Sequence, residues 1–142
     1  MPTRRASAVW EDGLQKGKGS VKTESGVLDA AYSFGSRFES AKGTNPEELL
    51  AGAEAACFAM ALSGALERAG TPAKRLEVSA ACTIEKVGDA FKITTMKLTV
   101  RATAPGVTAD GFQKTALATK DGCPVSGAIK GNVAIELDAA LV

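Results

Sequence analysis

The nucleophilic chemistry open to this 142-residue chain rests on three cysteines, Cys57, Cys82 and Cys123, because it has no histidine. Without imidazole, Ser-His-Asp and Cys-His machineries are excluded, since both need it to carry the proton. His-containing zinc sites fall with them, and three cysteines with no CxxC pair are a poor metal set. An odd number of cysteines also argues against a secreted disulfide scaffold. Thiol chemistry remains, and any thiolate must be stabilised by arginine, lysine or a helix N-terminus.

The three thiols differ in setting. Cys82 alternates with polar neighbours on one face of a predicted strand and reads as a core residue. Cys57 falls in the middle of an Ala/Gly-rich helix, where it packs like a small apolar residue. Backbone amides there are already bonded, so a reactive Cys57 needs a cation brought from elsewhere. Cys123 follows Gly122 and precedes Pro124, a pattern that places it at the N-cap of a short helix. Free amides and the helix dipole would favour its thiolate there, though a cysteine serving only as a turn residue fits equally well.

The elements that must position these residues can be read along the chain. Ala6, Ala8 and Trp10 alternate with polar residues, Asp12-Gly13 supplies a turn, and residues 18–23 form a return strand. Residues 30–38, with Tyr32, Phe34 and Phe38, read as one or two further strands. Asn45-Pro46-Glu47-Glu48 is a helix start: an N-cap, a proline at the first position and acids at the positive end. The helix should run from Pro46 to about Arg68 and stop at Gly70. Its apolar, small-residue sequence predicts burial on all sides. Glu54 and the many Ala and Gly residues argue against a membrane span.

Leu76, Val78, Ala80, Cys82 and Ile84 form one face of a strand, and Gly88-Asp89 turns the chain. Phe91 and Ile93 lie on odd positions but Met96, Leu98 and Val100 on even ones, so a β-bulge is expected near Thr94-Thr95. A helix over 108–120, a short helix opening at Cys123 and a last strand around Val133, Ile135 and Leu137 complete an α+β pattern. Length suits a single domain, residues 1–142, able to bury roughly two-thirds of its unfolded surface. The net charge of +1 and interspersed signs offer no basis for binding nucleic acid or a membrane surface. MPTRRASAV lacks an apolar segment behind its arginines, so a cytoplasmic location is expected.

Three segments in this order, WEDGLQKGKG, GTNPEELLAGAEAACFAMAL and GCPVS, resemble the OsmC/Ohr family, the osmotically inducible and organic-hydroperoxide-resistance proteins. The resemblance spans essentially the whole chain. It implies antiparallel sheets around a long buried helix, an intertwined homodimer, and a thiol peroxidase of oxidative and osmotic stress defence that uses no haem or metal. Carried over by position, Cys57 is the attacking thiol and Cys123 the resolving one. Organic hydroperoxide is the implied substrate, and an external thiol or dithiol the reductant. The resemblance also pairs Glu47 with an arginine beside the nucleophile. The Ohr branch carries that arginine in the N-terminal hairpin, where WEDGLQKGKG has none. The OsmC branch carries it just before the long helix, where Ser36-Arg37-Phe38-Glu39 matches, so Arg37 is the candidate and the OsmC branch the better fit. Glu54 stands where relatives can carry histidine, a position on which the implied mechanism does not rest.

A ten-residue separation of Glu47 and Cys57 is about 15 Å of helix rise, beyond what one arginine spans easily. Either the regular helix starts later than Pro46 or two subunits build each site. Leu50, Phe58, Met60 and Phe38 are expected to make the surroundings of Cys57 apolar and favour alkyl hydroperoxides over hydrogen peroxide. The competing reading is a non-enzymatic α+β ligand-binding or interaction module whose cysteines are structural.

Overall fold

A computed structural model describes residues 1–142. In chain order it contains β1 (Ala6–Glu11), β2 (Lys18–Thr23), β3 (Asp29–Tyr32), α1 (Phe34–Phe38), α2 (Pro46–Arg68), β4 (Arg75–Val87), β5 (Ala90–Thr103), α3 (Ala109–Gly122), α4 (Pro124–Ile129) and β6 (Ala134–Leu141). The chain divides into two compact units, Met1–Leu49 and Leu50–Val142.

The first unit is an antiparallel meander, β1-β2-β3, as the alternation of its residues predicts. Asp12 takes a left-handed φ of 68° in the first turn, which its short polar side chain tolerates. Gly19 lies opposite both Trp10 and Tyr32 in the ladder. A Cβ there would come within 2.5 Å of the Tyr32 ring, so glycine is what lets the two rings meet at 5.4 Å. The expected strands over 30–38 are corrected: β3 stops at Tyr32, and Phe34–Phe38 is a one-turn helix. Ser33 ends the strand by capping that turn. Its Oγ accepts from the Ser36 amide at 3.1 Å, and its own amide donates to Ser36 Oγ at 2.8 Å. This reciprocal cap satisfies two amides that would otherwise be orphaned, and it outweighs the strand preference of the aromatic residues.

The start of α2 follows its sequence signals. Pro46 opens the helix and Asn45 Oδ1 accepts from the Glu48 amide at 2.8 Å.

The second unit packs α2 and α3 against the sheet β4-β5-β6. The bulge appears where the phase change predicted it: Thr83 faces Thr95, Ile84 faces Ile93, and Thr94 is the extra residue. Beyond it Met96, Leu98, Val100 and Ala102 are all buried on one face. The α+β class holds, with one pairing that departs from an antiparallel sheet. β6 runs parallel to β5, after the crossover through α3 and α4.

Helix α2 departs from expectation. It is not buried on all sides within the chain. Glu54, Phe58, Leu62 and Leu66, four residues apart, form a fully buried stripe, while Gly52, Ala53, Ala56 and Met60 are exposed. The hydropathy argument against a membrane span also fails, because a window of α2 has a mean hydropathy of 1.7 and the helix is long enough to cross. What α2 does in this fold is seal a core with Leu98, Val100, Phe112 and Ala116.

Leu62 sits at the centre of that stripe, fully buried. Leu62→Ala is expected to cost about 2–5 kcal/mol through lost transfer energy and a residual cavity. A urea titration reads this as a lower midpoint at unchanged slope; an unmoved midpoint would refute the packing.

Candidate active site

In the first unit, Arg37 stands in the last turn of α1 and Glu47 in the first turn of α2. Three contacts join them: Nε donates to Oε1 and Oε2 at 3.2 Å each, and Nη2 donates to Oε1 at 2.8 Å. Glu47 is buried, whereas the Arg37 side chain is 37% exposed. The guanidinium also lies over the Phe38 ring, 5.2 Å from its centre. Planar, multidentate pairing of this kind fixes the guanidinium plane, which a lysine cannot reproduce.

Ser36 holds both ends of this pair in place. Its Oγ donates to the Thr44 carbonyl at 2.8 Å, and its carbonyl accepts from Asn45 Nδ2 at 3.1 Å. Gly43 adopts a φ of 133°, in the region that favours glycine, and a Cβ there would lie 2.9 Å from the Ala31 carbonyl. The loop between α1 and α2 is therefore tied to the residues flanking both Arg37 and Glu47.

In the second unit, Cys123 Sγ donates to Cys57 Sγ at 3.1 Å, although 66 residues separate them. Both are present as thiols, Cys123 buried and Cys57 half-buried. A disulfide needs about 2.05 Å, so a shift of about 1 Å would bring the two sulfurs to bonding distance. Cys123 occupies the N-cap of α4, as Gly-Cys-Pro predicts, but its side chain makes no hydrogen bond to the helix start. Its sulfur is turned to Cys57 instead.

The Cys57 thiol is pushed up from its ordinary pKa. Burial is the main cause, the Cys123 hydrogen bond and the charges of Cys123 and Glu54 push the same way, and the Val125 backbone amide pulls it down. No cation is among these groups. The surroundings within this unit thus oppose a thiolate, which leaves standing the requirement for a cation drawn from the Cys57 sequence context.

The expected lining divides: Phe58 is fully buried in the core cluster, whereas Met60, one turn on from Cys57, is exposed. Cys82 lies half-buried on β4 opposite Met96, apart from the thiol pair. No group of three or more His, Cys, Asp or Glu side chains is placed to hold a metal ion.

One feature escaped the sequence reading. Ser126 Oγ donates to Glu54 Oε1, and both residues are buried. The signal was a carboxylate heading an apolar stripe of four-residue spacing, 54, 58, 62 and 66.

Residues 39–138 match the family described as OsmC-like protein, a span that includes Glu47, Cys57 and Cys123 but not Arg37. The chain is 42% identical over 134 residues to a peroxiredoxin OsmC of Escherichia coli strain K12, covering 94% of each. Among solved structures it resembles an organic hydroperoxide resistance protein from Elizabethkingia anophelis, with a TM-score of 0.80 and 26% identity over 100% of this chain and 98% of that one. It also resembles the organic hydroperoxide resistance protein OhrB of Bacillus subtilis, with a TM-score of 0.75 and 26% identity over 95% and 97% of the two chains.

The local electrostatics give a signed expectation. The charge of Glu54 favours the protonated form of Cys57, so Glu54→Gln should lower the pH midpoint of Cys57 ionisation. The pH dependence of iodoacetamide alkylation, read at Cys57 by mass spectrometry, measures it; an unmoved or raised midpoint would contradict that influence.

Proposed function

The chain belongs to the OsmC-like protein family, and from that membership we propose that it is a thiol-dependent peroxidase reducing organic hydroperoxides to alcohols at Cys57. The observation that carries the reading is the 3.1 Å approach of Cys123 to Cys57, two thiols that no other feature of the core requires to meet. The names of the relatives, peroxiredoxin and organic hydroperoxide resistance protein, support a peroxidase-type role.

The Cys57 thiolate attacks the terminal oxygen of the hydroperoxide. An S–O bond forms and the O–O bond breaks; sulfur is oxidised to a sulfenic acid and the peroxide is reduced to an alcohol. Cys123 then displaces water from the sulfenic sulfur, giving a disulfide that protects Cys57 from further oxidation. An external thiol or dithiol returns both cysteines to thiols by exchange, a requirement that suits the reducing cytoplasm. No metal or bound cofactor takes part.

Arg37 is assigned the missing cation. It would stabilise the thiolate and the charge developing on the leaving oxygen, with Glu47 orienting its plane. Helix α2 begins at Pro46, so Glu47 and Cys57 are separated by about 15 Å of helix rise. That distance supports a homodimer in which the Arg37–Glu47 pair of one subunit serves Cys57 of the other. The exposed small-residue face of α2, Gly52, Ala53, Ala56 and Met60, supports a second copy packed there.

Two experiments test this. Cumene hydroperoxide consumption with dithiothreitol should vanish in Cys57→Ser, while Cys123→Ser should undergo one stoichiometric oxidation without forming the disulfide. Wild-type turnover no faster than the buffer blank would sink the peroxidase reading and favour a binding module with structural cysteines. Separately, a mixed dimer of Arg37→Ala and Cys57→Ser subunits should regain one of its two sites if sites are shared, and none if each subunit is self-sufficient.

A further inference from the structure

Glu54 has no part in the reaction just described, yet no charged side chain is more deeply buried: its exposure is 0%, against 5% for Glu47. Its two oxygens are in different situations. Oε1 accepts from Ser126 Oγ, and Ser126 is itself 1% exposed. Oε2 is buried with no hydrogen-bond partner. A carboxyl oxygen in that condition costs stability, and because Oε1 already accepts, Oε2 is the atom free to carry a proton.

Its placement ties it to the reacting sulfur. Glu54 is three residues before Cys57 on α2, so the two lie on one face with Cβ atoms roughly 5–6 Å apart. Side chains lean toward the helix N-terminus, which brings the Cys57 sulfur over the turn that carries Glu54. Ser126 stands three residues after Cys123. The Cys57–Cys123 and Glu54–Ser126 contacts therefore run side by side between α2 and the segment 123–126.

The chemistry leaves a vacancy that this group fits. Thiolate attack expels an alkoxide, a poor leaving group unless it is protonated as it departs. The ionised Cys57 has no proton to give, the Cys123 thiol proton is used when water leaves the sulfenic acid, and arginine does not give one up. We propose that Glu54, held through Oε1 by Ser126, delivers the proton on its Oε2 to the alkoxide leaving at Cys57. The attack then balances as thiolate, hydroperoxide and carboxylic acid going to sulfenic acid, alcohol and carboxylate. When the dithiol reductant regenerates the Cys57 thiol, that thiol passes its proton to the carboxylate and the site is reset. One proton thus serves two neighbouring acids, in keeping with the way Glu54 opposes ionisation of Cys57.

This rests on the peroxidase reading and is tested by changing the leaving group. Cumene hydroperoxide expels an alkoxide that needs a proton, whereas peracetic acid expels acetate, which does not. In Glu54→Gln the ratio of the two single-turnover rates of Cys57 oxidation, cumene hydroperoxide over peracetic acid, should fall on the order of 100-fold. Iodoacetamide alkylation of Cys57, which needs only the thiolate, should be no slower than in wild type. Ser126→Ala keeps the carboxyl but loosens it, and should shift the same ratio in the same direction; it also serves if Glu54→Gln does not fold. An unchanged ratio in either folded variant, whether the two rates fall together or not at all, overturns the proposal. Failure of the peroxidase reading looks different, because wild-type Cys57 would then not be oxidised by cumene hydroperoxide in the first place.

Discussion

The thiol geometry depends on a single constraint, the proline at position 124. Proline has no amide hydrogen and cannot continue a helix, so α3 must stop at Gly122 and α4 must begin anew. Cys123 is the one residue between them, held extended at φ −67° and ψ 127°. Its amide donates to the Thr119 carbonyl at 2.8 Å, closing α3, and its carbonyl accepts from the Gly127 amide at 2.9 Å, opening α4. With both backbone groups committed, the direction of its side chain is fixed by two helices rather than by a flexible loop. The same break places Ser126 one turn further on, where it meets Glu54.

The first unit solves a similar problem with serine in place of proline. Arg37 is carried by a helix of only five residues, too short to be stable through its own ladder. The Ser33–Ser36 cap and the Ser36 bonds to Thr44 and Asn45 replace that missing stability. Glu47 is then presented from the first turn of α2, with its carboxylate buried against the guanidinium. Removing Arg37 would leave the buried Glu47 carboxyl without its partner, which makes the pair costly to break from that side even though its net contribution to folding is modest. In each unit a short, heavily tied segment carries the polar residue of interest, Arg37 in the first and Cys123 in the second.

Much of this was legible in the sequence because it rests on local chemistry. Asn45-Pro46 marked the start of α2, the phase change at Thr94-Thr95 marked the bulge, and Gly122-Cys123-Pro124 marked a helix boundary. The short helix over Phe34–Phe38 was not legible. Its aromatic residues favour a strand, and only a reciprocal bond between two serines three apart, a weaker signature than the Ser/Thr with Glu/Gln form, reverses that preference. The encounter of Cys57 with Cys123 came from family resemblance, since residues 66 apart meet through tertiary packing that no local pattern encodes. Glu54 was visible as a charge in an apolar stripe, but its use depends on Ser126, and that pairing is equally non-local.

The composition of α2 now has a physical reading. A helix with one apolar stripe needs one partner, but α2 is apolar on two faces, the core stripe 54, 58, 62 and 66 and the outer face 52, 53, 56 and 60. The core stripe uses large side chains that fill space against the sheet, whereas three of the four outer residues are Gly or Ala, which suit close approach of another backbone. Position 57 lies about 100° round the helix from both Phe58 and Ala56, on the seam between these faces. This accounts for the half-buried state of Cys57. Its core side meets Cys123, with the Glu54 charge opposing ionisation, and its outer side is open. In the homodimer proposed above, a second copy covers that open side and brings Arg37 to it, so that activation and assembly would be one event.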